Sequence, residues 1–377
     1  METMFKFSTF GFFICFLNVF FSCGNSTGNK NKGEKTSSPQ TKIHIKSIKI
    51  LSPQNNTALR FNDVLKIAYQ TAQEYPADSI RVFLNGKELK YTRLEPDKIQ
   101  IKIPEYKTGK LILKLHAYHK GGKESSSSCS LNILPDTKPI RLNYTIIKEY
   151  PHDKKAYTQG LVYHEDFIYE GTGLREGLSS LRKLDIKTGK VISILNLDKE
   201  YFGEGITIYK NRIYQLTWTS RKGFIYEIEN FSPISTFGYP TEGWGLTTMD
   251  KELVMSDGSN SLHFIEPESF FIKRSIQVFD YEGPVNSINE LEYANGLIWA
   301  NIWLKDKIIA IDPYSGAVVK EIDFSSLLTK KERKKMDIQD DVLNGIAYNY
   351  KKKTFYITGK RWPKLFEIDI IQKDTEK

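Results

Sequence analysis

Apolar and polar residues alternate along most of the chain, which is the pattern of half-buried β-strands. From Lys42 to about Leu134 the alternating runs are short, and one of them, IRVFLNGKEL, contains the hairpin turn signal Asn85-Gly86. Six or seven strands at this spacing predict an immunoglobulin-like β-sandwich over residues 42–136. The segment Pro135–Pro139 has the composition of a linker to the part that follows.

A second pattern, strand–turn–strand, repeats five times in residues 137–377. The repeated hairpins read QGLVYHEDFIYEGTG, EGITIYKNRIYQLTW, WGLTTMDKELVMSDG, NELEYANGLIWANIW and NGIAYNYKKKTFYITGK. Four of them are followed by another pair of alternating runs, and their starts lie 40 to 55 residues apart, which is the period of propeller blades. We therefore predict an all-β protein in which a five-bladed β-propeller follows the sandwich.

The fifth repeat ends early, at LFEIDII, whereas a spare strand, RLNYTIIKEY, precedes the first repeat. If these two segments pair within one blade, the ring closes and no strand edge is left open. The sequence therefore predicts closure of the propeller by its two chain ends.

The residues at the two ends of each repeated hairpin are candidates for a site. The repeats begin at Gln159, Glu204, Trp244, Asn289 and Asn344, and they end at Gly173, Trp218, Gly258, Trp303 and Lys360. Because the start of the first strand and the end of the second are neighbours in an antiparallel hairpin, both sets should surround one pocket on the axis. At any single aligned position, a role in packing between blades is as good an explanation as a role in a site. If all of these positions served packing alone, however, we would expect one residue type to repeat.

The composition of the chain argues against several kinds of partner and site. The chain has 377 residues and a net charge of +9, from 54 Lys and Arg against 45 Asp and Glu, without a basic stripe that would indicate a nucleic-acid partner. Its three cysteines, Cys15, Cys23 and Cys129, cannot form a disulfide framework or a cysteine zinc site. The repeats also contain no cluster of metal-ligand residues, so we expect no metal and no cofactor.

The first 41 residues indicate export. After Lys6 comes an apolar stretch of about sixteen residues, which is the length of a signal peptide and too short for a spanning helix. It ends in FFSC, which resembles a bacterial lipoprotein signal, although Phe20 stands where that motif usually has Leu. We expect a signal peptide over residues 1–22, lipidation of Cys23 and a flexible tether over 23–41. A plain secretory peptide and an uncleaved anchor are the alternatives.

We therefore expect a monomeric lipoprotein of the bacterial cell envelope, held in the outer membrane by a lipid anchor and facing the periplasm or the outside. The segment LLTKKERKKMDIQDD, residues 327–341, has helical composition and is either a solvated connection or a lid over the pocket.

Seven motifs between Tyr144 and Ile370 resemble the glutamine cyclotransferases, the plant and bacterial type of glutaminyl cyclase. In chain order they are YPHDKKAYTQGL, YFGEG, GWGL, NELEY, WANIW, DVLNGIAY and TGKRWPKLFEI. The resemblance implies a five-bladed propeller that converts the N-terminal glutamine of peptides or proteins to pyroglutamate and releases ammonia without zinc.

The resemblance also implies residue roles. Glu204 would be the catalytic acid and base, Gln159 and Asn289 would bind the substrate amides, and Lys360 would lie in the same pocket. The walls would be formed by three tryptophans, Trp218, Trp244 and Trp303, with Phe202 and Tyr157 as lesser candidates. The family usually has Phe where Tyr157 stands. The sandwich is not covered by these motifs.

A single carboxyl suits this reaction. The α-amine of the substrate has a pKa of about 7.7 to 8.0, so one carboxyl can take its proton and pass it to the departing nitrogen. A propeller glycosidase would need two opposed carboxylates, and only one of the ten aligned positions is acidic. The alternative from another class is a surface-tethered protein that binds a peptide or glycan in the same pocket without turnover.

Overall fold

The structure is a computed structural model that describes residues 43–92, 99–103, 107–174 and 178–371, and it is all-β. All of these residues belong to one compact unit, Lys42–Lys377. The predicted signal peptide, Cys23 and the tether lie outside the described residues. Within the described ranges no helix has the length and apolar character needed to cross a membrane.

The first region has two sheets that share one core. Its nine described strands are β1 (Ile43–His44), β2 (Ile48–Ser52), β3 (Thr57–Arg60), β4 (Val64–Thr71), β5 (Ala77–Leu84), β6 (Lys87–Thr92), β7 (Ile99–Lys102), β8 (Gly109–His119) and β9 (Lys123–Leu134). A 3₁₀ turn, Lys120–Gly122, joins β8 to β9. One sheet has the order β1-β9-β8-β5-β6 with β3 also paired to β9, and the other has the order β2-β4-β7.

The sequence pattern accounts for these elements. The alternation in β8 buries every second side chain, and Leu113 packs in the same apolar core as Ile67 of the other sheet. The predicted hairpin turn is confirmed, because Asn85 and Gly86 both have positive φ, 50° and 82°, and they join β5 to β6. The alternating runs noted in the sequence therefore mark the strands of this region.

The second region consists of the five repeats. It begins with β10 (Ile140–Pro151). Repeats 1 and 2 contain β11 (Thr158–His164), β12 (Phe167–Thr172), β13 (Ser180–Asp185), β14 (Val191–Asn196), β15 (Gly203–Tyr209), β16 (Arg212–Thr217), β17 (Lys222–Glu227) and β18 (Pro233–Gly238). Repeats 3 and 4 contain β19 (Leu246–Met249), β20 (Glu252–Ser256), β21 (Ser261–Ile265), β22 (Ile272–Gln277), β23 (Ile288–Ala294), β24 (Leu297–Ile302), β25 (Lys307–Ile311) and β26 (Val318–Asp323). A short helix, α1 (Lys330–Arg333), precedes repeat 5, which contains β27 (Leu343–Asn349), β28 (Thr354–Gly359) and β29 (Lys364–Ile371).

The pairing of strands agrees with the repeat pattern. Each of the first three repeats is a separate four-stranded antiparallel sheet. The predicted pairing of the two end segments is confirmed, since β10 pairs with β29 in antiparallel register from Asn143↔Ile371 to Pro151↔Lys364. The sequence did not indicate a further pairing, in which the first residues of β10 run parallel to β26 and join repeats 4 and 5 into one eight-stranded sheet.

The first strands of the repeats lie innermost and approach one another closely. They contact in cyclic order, β11 with β15, β15 with β19, β19 with β23, β23 with β27, and β27 with β11. A Cβ atom on Gly245 would lie 2.0 Å from the carbonyl oxygen of Asn289, and one on Gly160 would lie 2.4 Å from the backbone nitrogen of Ile206. Glycine is therefore required by backbone contact between neighbouring repeats.

Repeat 4 has Glu290 in place of this glycine. Its carboxyl oxygens accept the backbone N–H of Leu161 at 3.1 Å and of Ile346 at 2.7 Å, so one side chain joins three of the innermost strands. Burial, and then the charge of Glu292, raise the pKa of Glu290 well above its usual value.

The close approach of the strands gives a test of stability. Gly245→Ala should lower the free energy of unfolding by about 1–3 kcal/mol, because the added methyl overlaps the carbonyl of Asn289 and the backbones must separate. Gly238→Ala is the matched control, since its Cβ would meet no atom closer than 3.9 Å, and it should change the value by less than about 0.5 kcal/mol. Urea unfolding measures both, and equal stability of the two variants would contradict this packing.

Candidate active site

A cavity of about 520 Å³ lies where the innermost strands meet. It is lined by Tyr157, Gln159, Leu174, Phe202, Glu204, Trp218, Trp244, Asn289, Trp303, Asp340 and Lys360. The structure thus brings together all nine residues that the sequence suggested for substrate binding and catalysis.

Local backbone irregularities direct these side chains into the cavity. The register between the first and second strands shifts at Gln159, Glu204, Asn289 and Asn344, in four of the five repeats. A bulge of this kind bends the strand and changes the direction of a side chain. In repeat 3, Trp244 precedes the first residue of β19.

The two ends of each hairpin meet through a repeated hydrogen bond. The backbone N–H of Trp218 donates to the carbonyl of Phe202 at 3.0 Å, and Lys360 donates in the same way to Val342 at 2.9 Å. This contact places the residue that follows the second strand beside the start of the first. Residues that are 14 to 16 positions apart in the sequence therefore share one mouth of the cavity.

Glu204 is the buried acid of the cavity. It is only 4% exposed, and the side-chain Nε2 of Gln159 donates to its Oε1 at 3.1 Å. Burial raises the pKa of Glu204 well above its usual value, the charge of Lys360 opposes this rise, and Glu242 adds to it. A carboxyl in this state can exchange a proton closer to neutral pH than an exposed glutamate can.

Lys360 is the buried base of the cavity. Burial lowers its pKa to about 8, against the opposing charges of Glu204 and Asp340. Its Nζ lies 4.5 Å from the centre of the Tyr157 ring. The ammonium is therefore poorly solvated, and the low dielectric favours the neutral forms of both Lys360 and Glu204.

The two asparagines of the aligned set differ in position, since one lines the cavity and the other does not. Asn289 lines the cavity, and its buried Oδ1 has no hydrogen-bond partner among the described residues. Asn344 lies beneath the cavity, where its Nδ2 donates to the Thr158 carbonyl at 2.9 Å and to Gln159 Oε1 at 3.2 Å. The expectation that Asn344 faces the pocket is wrong; it supports Gln159.

Aromatic rings form the walls in two groups. Phe202 packs edge-on against Trp218, with centroids 5.7 Å apart, and Trp244 packs edge-on against Trp303 at 5.8 Å. Trp303 is 38% exposed and so marks the mouth of the cavity. Two aligned glycines leave room for these rings, since a Cβ on Gly173 would lie 2.2 Å from Phe202 Cε1 and one on Gly258 would lie 2.5 Å from Trp244 Cε2.

A second carboxylate lines the cavity, contrary to the expectation that Glu204 stands alone. Asp340 comes from the segment 327–341, so this segment is more than a solvated connection. Its Oδ1 accepts the hydroxyl of Tyr157 at 2.6 Å, and Arg361 binds both Asp340 and Asp341. Although burial acts in the opposite direction, these hydrogen bonds hold the pKa of Asp340 below its usual value.

Sequence reasoning missed three residues at or behind the walls, Leu174, Asp340 and Glu242. The presence of Tyr157 where the family usually has Phe was the available signal for Asp340, because a buried hydroxyl needs a partner. Asp257, the acid that directly precedes the aligned Gly258, does not line the cavity; its Oδ2 lies 3.0 Å from Nε2 of His263. No group of three or more metal-binding side chains occurs in the described ranges.

Comparison with known proteins matches the second region and the end of the first. A family model described as glutamine cyclotransferase matches residues 118–370, which include every residue that lines the cavity. Glutaminyl-peptide cyclotransferase of Arabidopsis thaliana is 38% identical over 272 residues, 70% of this chain and 81% of that protein. A crystal structure of Myxococcus xanthus glutaminyl cyclase aligns with a TM-score of 0.59 and 39% identity, covering 63% of this chain and 100% of that one.

The hydroxyl of Tyr157 gives a test of the cavity wall. Tyr157→Phe should lower the free energy of unfolding by about 1.5–3 kcal/mol, because it removes a partly buried hydrogen bond to a charged carboxylate. Tyr163→Phe is the matched control, since that hydroxyl donates to Asp166 at 2.7 Å on the surface and its loss should cost less than about 0.5 kcal/mol. If urea unfolding shows no difference between the two variants, Tyr157 does not hold Asp340.

Proposed function

Since this chain belongs to the glutamine cyclotransferase family and converts the N-terminal glutamine of peptides to pyroglutamate, we propose that Glu204 moves the proton that the reaction requires. The observation that carries this proposal is the position of Glu204, a buried carboxyl that lines a cavity walled by three indoles and has a raised pKa.

The reaction needs one proton to change place. The α-amine nitrogen of the substrate forms a bond to the side-chain carbonyl carbon, and the bond from that carbon to the side-chain nitrogen then breaks. The attacking nitrogen loses a proton and the departing nitrogen gains one, so ammonia leaves and a five-membered ring remains. One group that accepts the proton and returns it is sufficient.

The two carboxyls of the cavity differ in the way that this assignment requires. The pKa of Glu204 is raised by burial, whereas the pKa of Asp340 is lowered by its hydrogen bonds to Tyr157 and Arg361. Environments that separate two pKa values in this way distinguish a group that exchanges a proton from one that stays ionised. We assign the exchange to Glu204.

The remaining cavity residues orient the substrate and stabilise charge. The second N–H of the Gln159 side chain is available for the oxyanion that forms at the attacked carbonyl, and the unpartnered Oδ1 of Asn289 can accept an N–H of the substrate. Flat indole walls restrict the side-chain rotamers of glutamine, which lowers the entropic barrier to ring closure.

We further propose that the second region, residues 137–377, is a five-bladed β-propeller and that the first, residues 42–136, is an immunoglobulin-like sandwich. Cyclic contact of the five innermost strands and the β10–β29 pairing support the propeller. Two sheets around one core support the sandwich.

The proposal that the chain is exported rests on its sequence alone. We propose a signal peptide over residues 1–22, lipidation of Cys23 and attachment of a monomer to the cell envelope through the tether. Radiolabelled palmitate should be incorporated into the expressed wild-type chain and not into Cys23→Ala; label in both would contradict the proposed anchor.

Turnover of a glutamine-initiated peptide tests the function. The purified protein should release ammonia in step with the corresponding loss of mass, faster than the peptide cyclises alone. Glu204→Gln should reduce kcat on the order of 100 to 10,000-fold, because it keeps the shape of the side chain and removes the carboxyl that exchanges the proton. Peptide binding without ammonia release by the wild type would favour the binding-protein alternative, and full turnover by the variant would contradict the role of Glu204.

The raised pKa also predicts a pH-dependent stability. A carboxyl with a raised pKa in the folded state favours folding while it is protonated, and this contribution is lost as the pH rises from its usual value, 4.5, through the folded value. Glu204→Gln has no carboxyl to ionise at this position and so does not lose this contribution. The free energy of unfolding of the variant should therefore increase relative to that of the wild type as the pH rises from 4 toward 8. Thermal unfolding across this range measures the difference, and a difference that does not change with pH would show that Glu204 has an ordinary pKa.

A further inference from the structure

One carboxylate oxygen outside the cavity accepts hydrogen bonds from two of the tryptophans that form its walls. Oε2 of Glu242 accepts the indole N–H of Trp218 at 2.7 Å and the indole N–H of Trp244 at 3.0 Å. The two indoles come from different repeats: Trp218 follows β16 of repeat 2, and Trp244 precedes β19 of repeat 3. Glu242 does not line the cavity, so it affects a substrate there indirectly, in the first place through these rings.

The backbone around Glu242 is itself fixed. The hydroxyl of Tyr239 donates to the carbonyl of Thr217 and accepts the N–H of the same residue at 2.8 Å. The N–H of Gly243 donates to the carbonyl of Trp218 at 3.3 Å. A Cβ on Gly243 would lie 2.7 Å from the Tyr239 hydroxyl, so this loop packs tightly against that ring. Glu242 therefore binds the indoles from a position that is set by the end of repeat 2.

We propose that Glu242 is a positioning residue that sets the distance between Trp218 and Trp244 and thereby the width of the cleft that holds the glutamine side chain. This inference rests on the function proposed above. The sequence shows the arrangement as TEGWGL, in which the acid stands two residues before one of the tryptophans.

The energetics favour this role. Hydrogen bonds to a charged acceptor are about twice as strong as neutral ones, and a buried indole N–H usually finds a partner. Without Glu242 each ring could turn about its side-chain torsions into the open cavity. A displacement of about 1 Å in a positioning group can cost on the order of 100-fold in rate.

Glu242 also acts on the acid through its charge. Two charged groups act on Glu204, Lys360 and Glu242, and the charge of Glu204 in turn raises the pKa of the neighbouring Tyr157 and Tyr239. Of these, Lys360 lowers the pKa of Glu204 and Glu242 raises it. Removal of the Glu242 charge should therefore move the acid limb of the activity profile to lower pH, an effect that a purely structural residue would not produce.

Three variants test the proposal in the full-length protein with a glutamine-initiated peptide. Glu242→Ala removes the acceptor and should lower kcat/KM on the order of 100-fold, chiefly through kcat. Glu242→Gln keeps one neutral acceptor oxygen and should lose less, on the order of 10-fold, with the same shift of the acid limb. Glu252→Gln is the control, because Glu252 pairs with Lys273 at the opposite end of β20 from the cavity, and it should match the wild type.

The outcomes separate this inference from the proposed function. Should Glu242→Ala keep kcat/KM within twofold of the wild type, Glu242 does not position the indoles. An acid limb that stays in place in Glu242→Gln would contradict the action of the Glu242 charge on Glu204. If Glu242→Ala does not fold, the acid limb and kcat of Glu242→Gln decide alone. Absence of turnover in the wild type would overturn the proposed function. If the wild type is active and Glu204→Gln is inactive, the proposed function stands, and the Glu242 variants then test only the role of Glu242.

Discussion

The close approach of the innermost strands is the constraint on which the site depends. The backbones of neighbouring repeats contact where Gly160, Gly205 and Gly245 leave no room for a Cβ atom. Each of these glycines follows the residue that begins its repeat. The bulges at this point then turn Gln159, Glu204 and Asn289 toward a common space. The cavity is therefore a consequence of how tightly the repeats pack, and its chemistry is set by the side chains at equivalent positions.

Burial then gives these side chains unusual acid–base properties. Glu204 and Lys360 are both nearly inaccessible to water, and low dielectric raises the pKa of the acid and lowers that of the base to about 8. Asp340 shares the cavity but remains ionised because Tyr157 and Arg361 bind its oxygens. The difference arises from hydrogen bonding. Glu204 receives one bond from a neutral amide, whereas Asp340 receives a hydroxyl and a guanidinium.

Much of this arrangement could be predicted from the sequence because repetition carries geometric information. Equivalent positions in five similar hairpins must lie at equivalent points, so Glu204, Trp218 and Lys360 could be assigned to one pocket without coordinates. Asp340 and Glu242 could not be found in this way, since they lie in the connections between repeats, which differ in length and sequence. Asn344 was misplaced because alignment fixes the position of a backbone but not the direction in which a side chain turns. The parallel pairing of β10 with β26 joins strands that are far apart in the sequence, and an alternating pattern does not indicate which strands lie side by side.

Because burial raises its pKa, Glu204 should keep its proton at a pH where an ordinary glutamate has lost it. Infrared difference spectra of the wild type minus Glu204→Gln, recorded over a pH series, isolate the C=O stretch of this one protonated carboxyl from those of Glu290 and Glu292. We expect the band to persist well above pH 4.5, the usual pKa of the group. A band that disappears around pH 4.5, as for an exposed glutamate, would contradict this expectation.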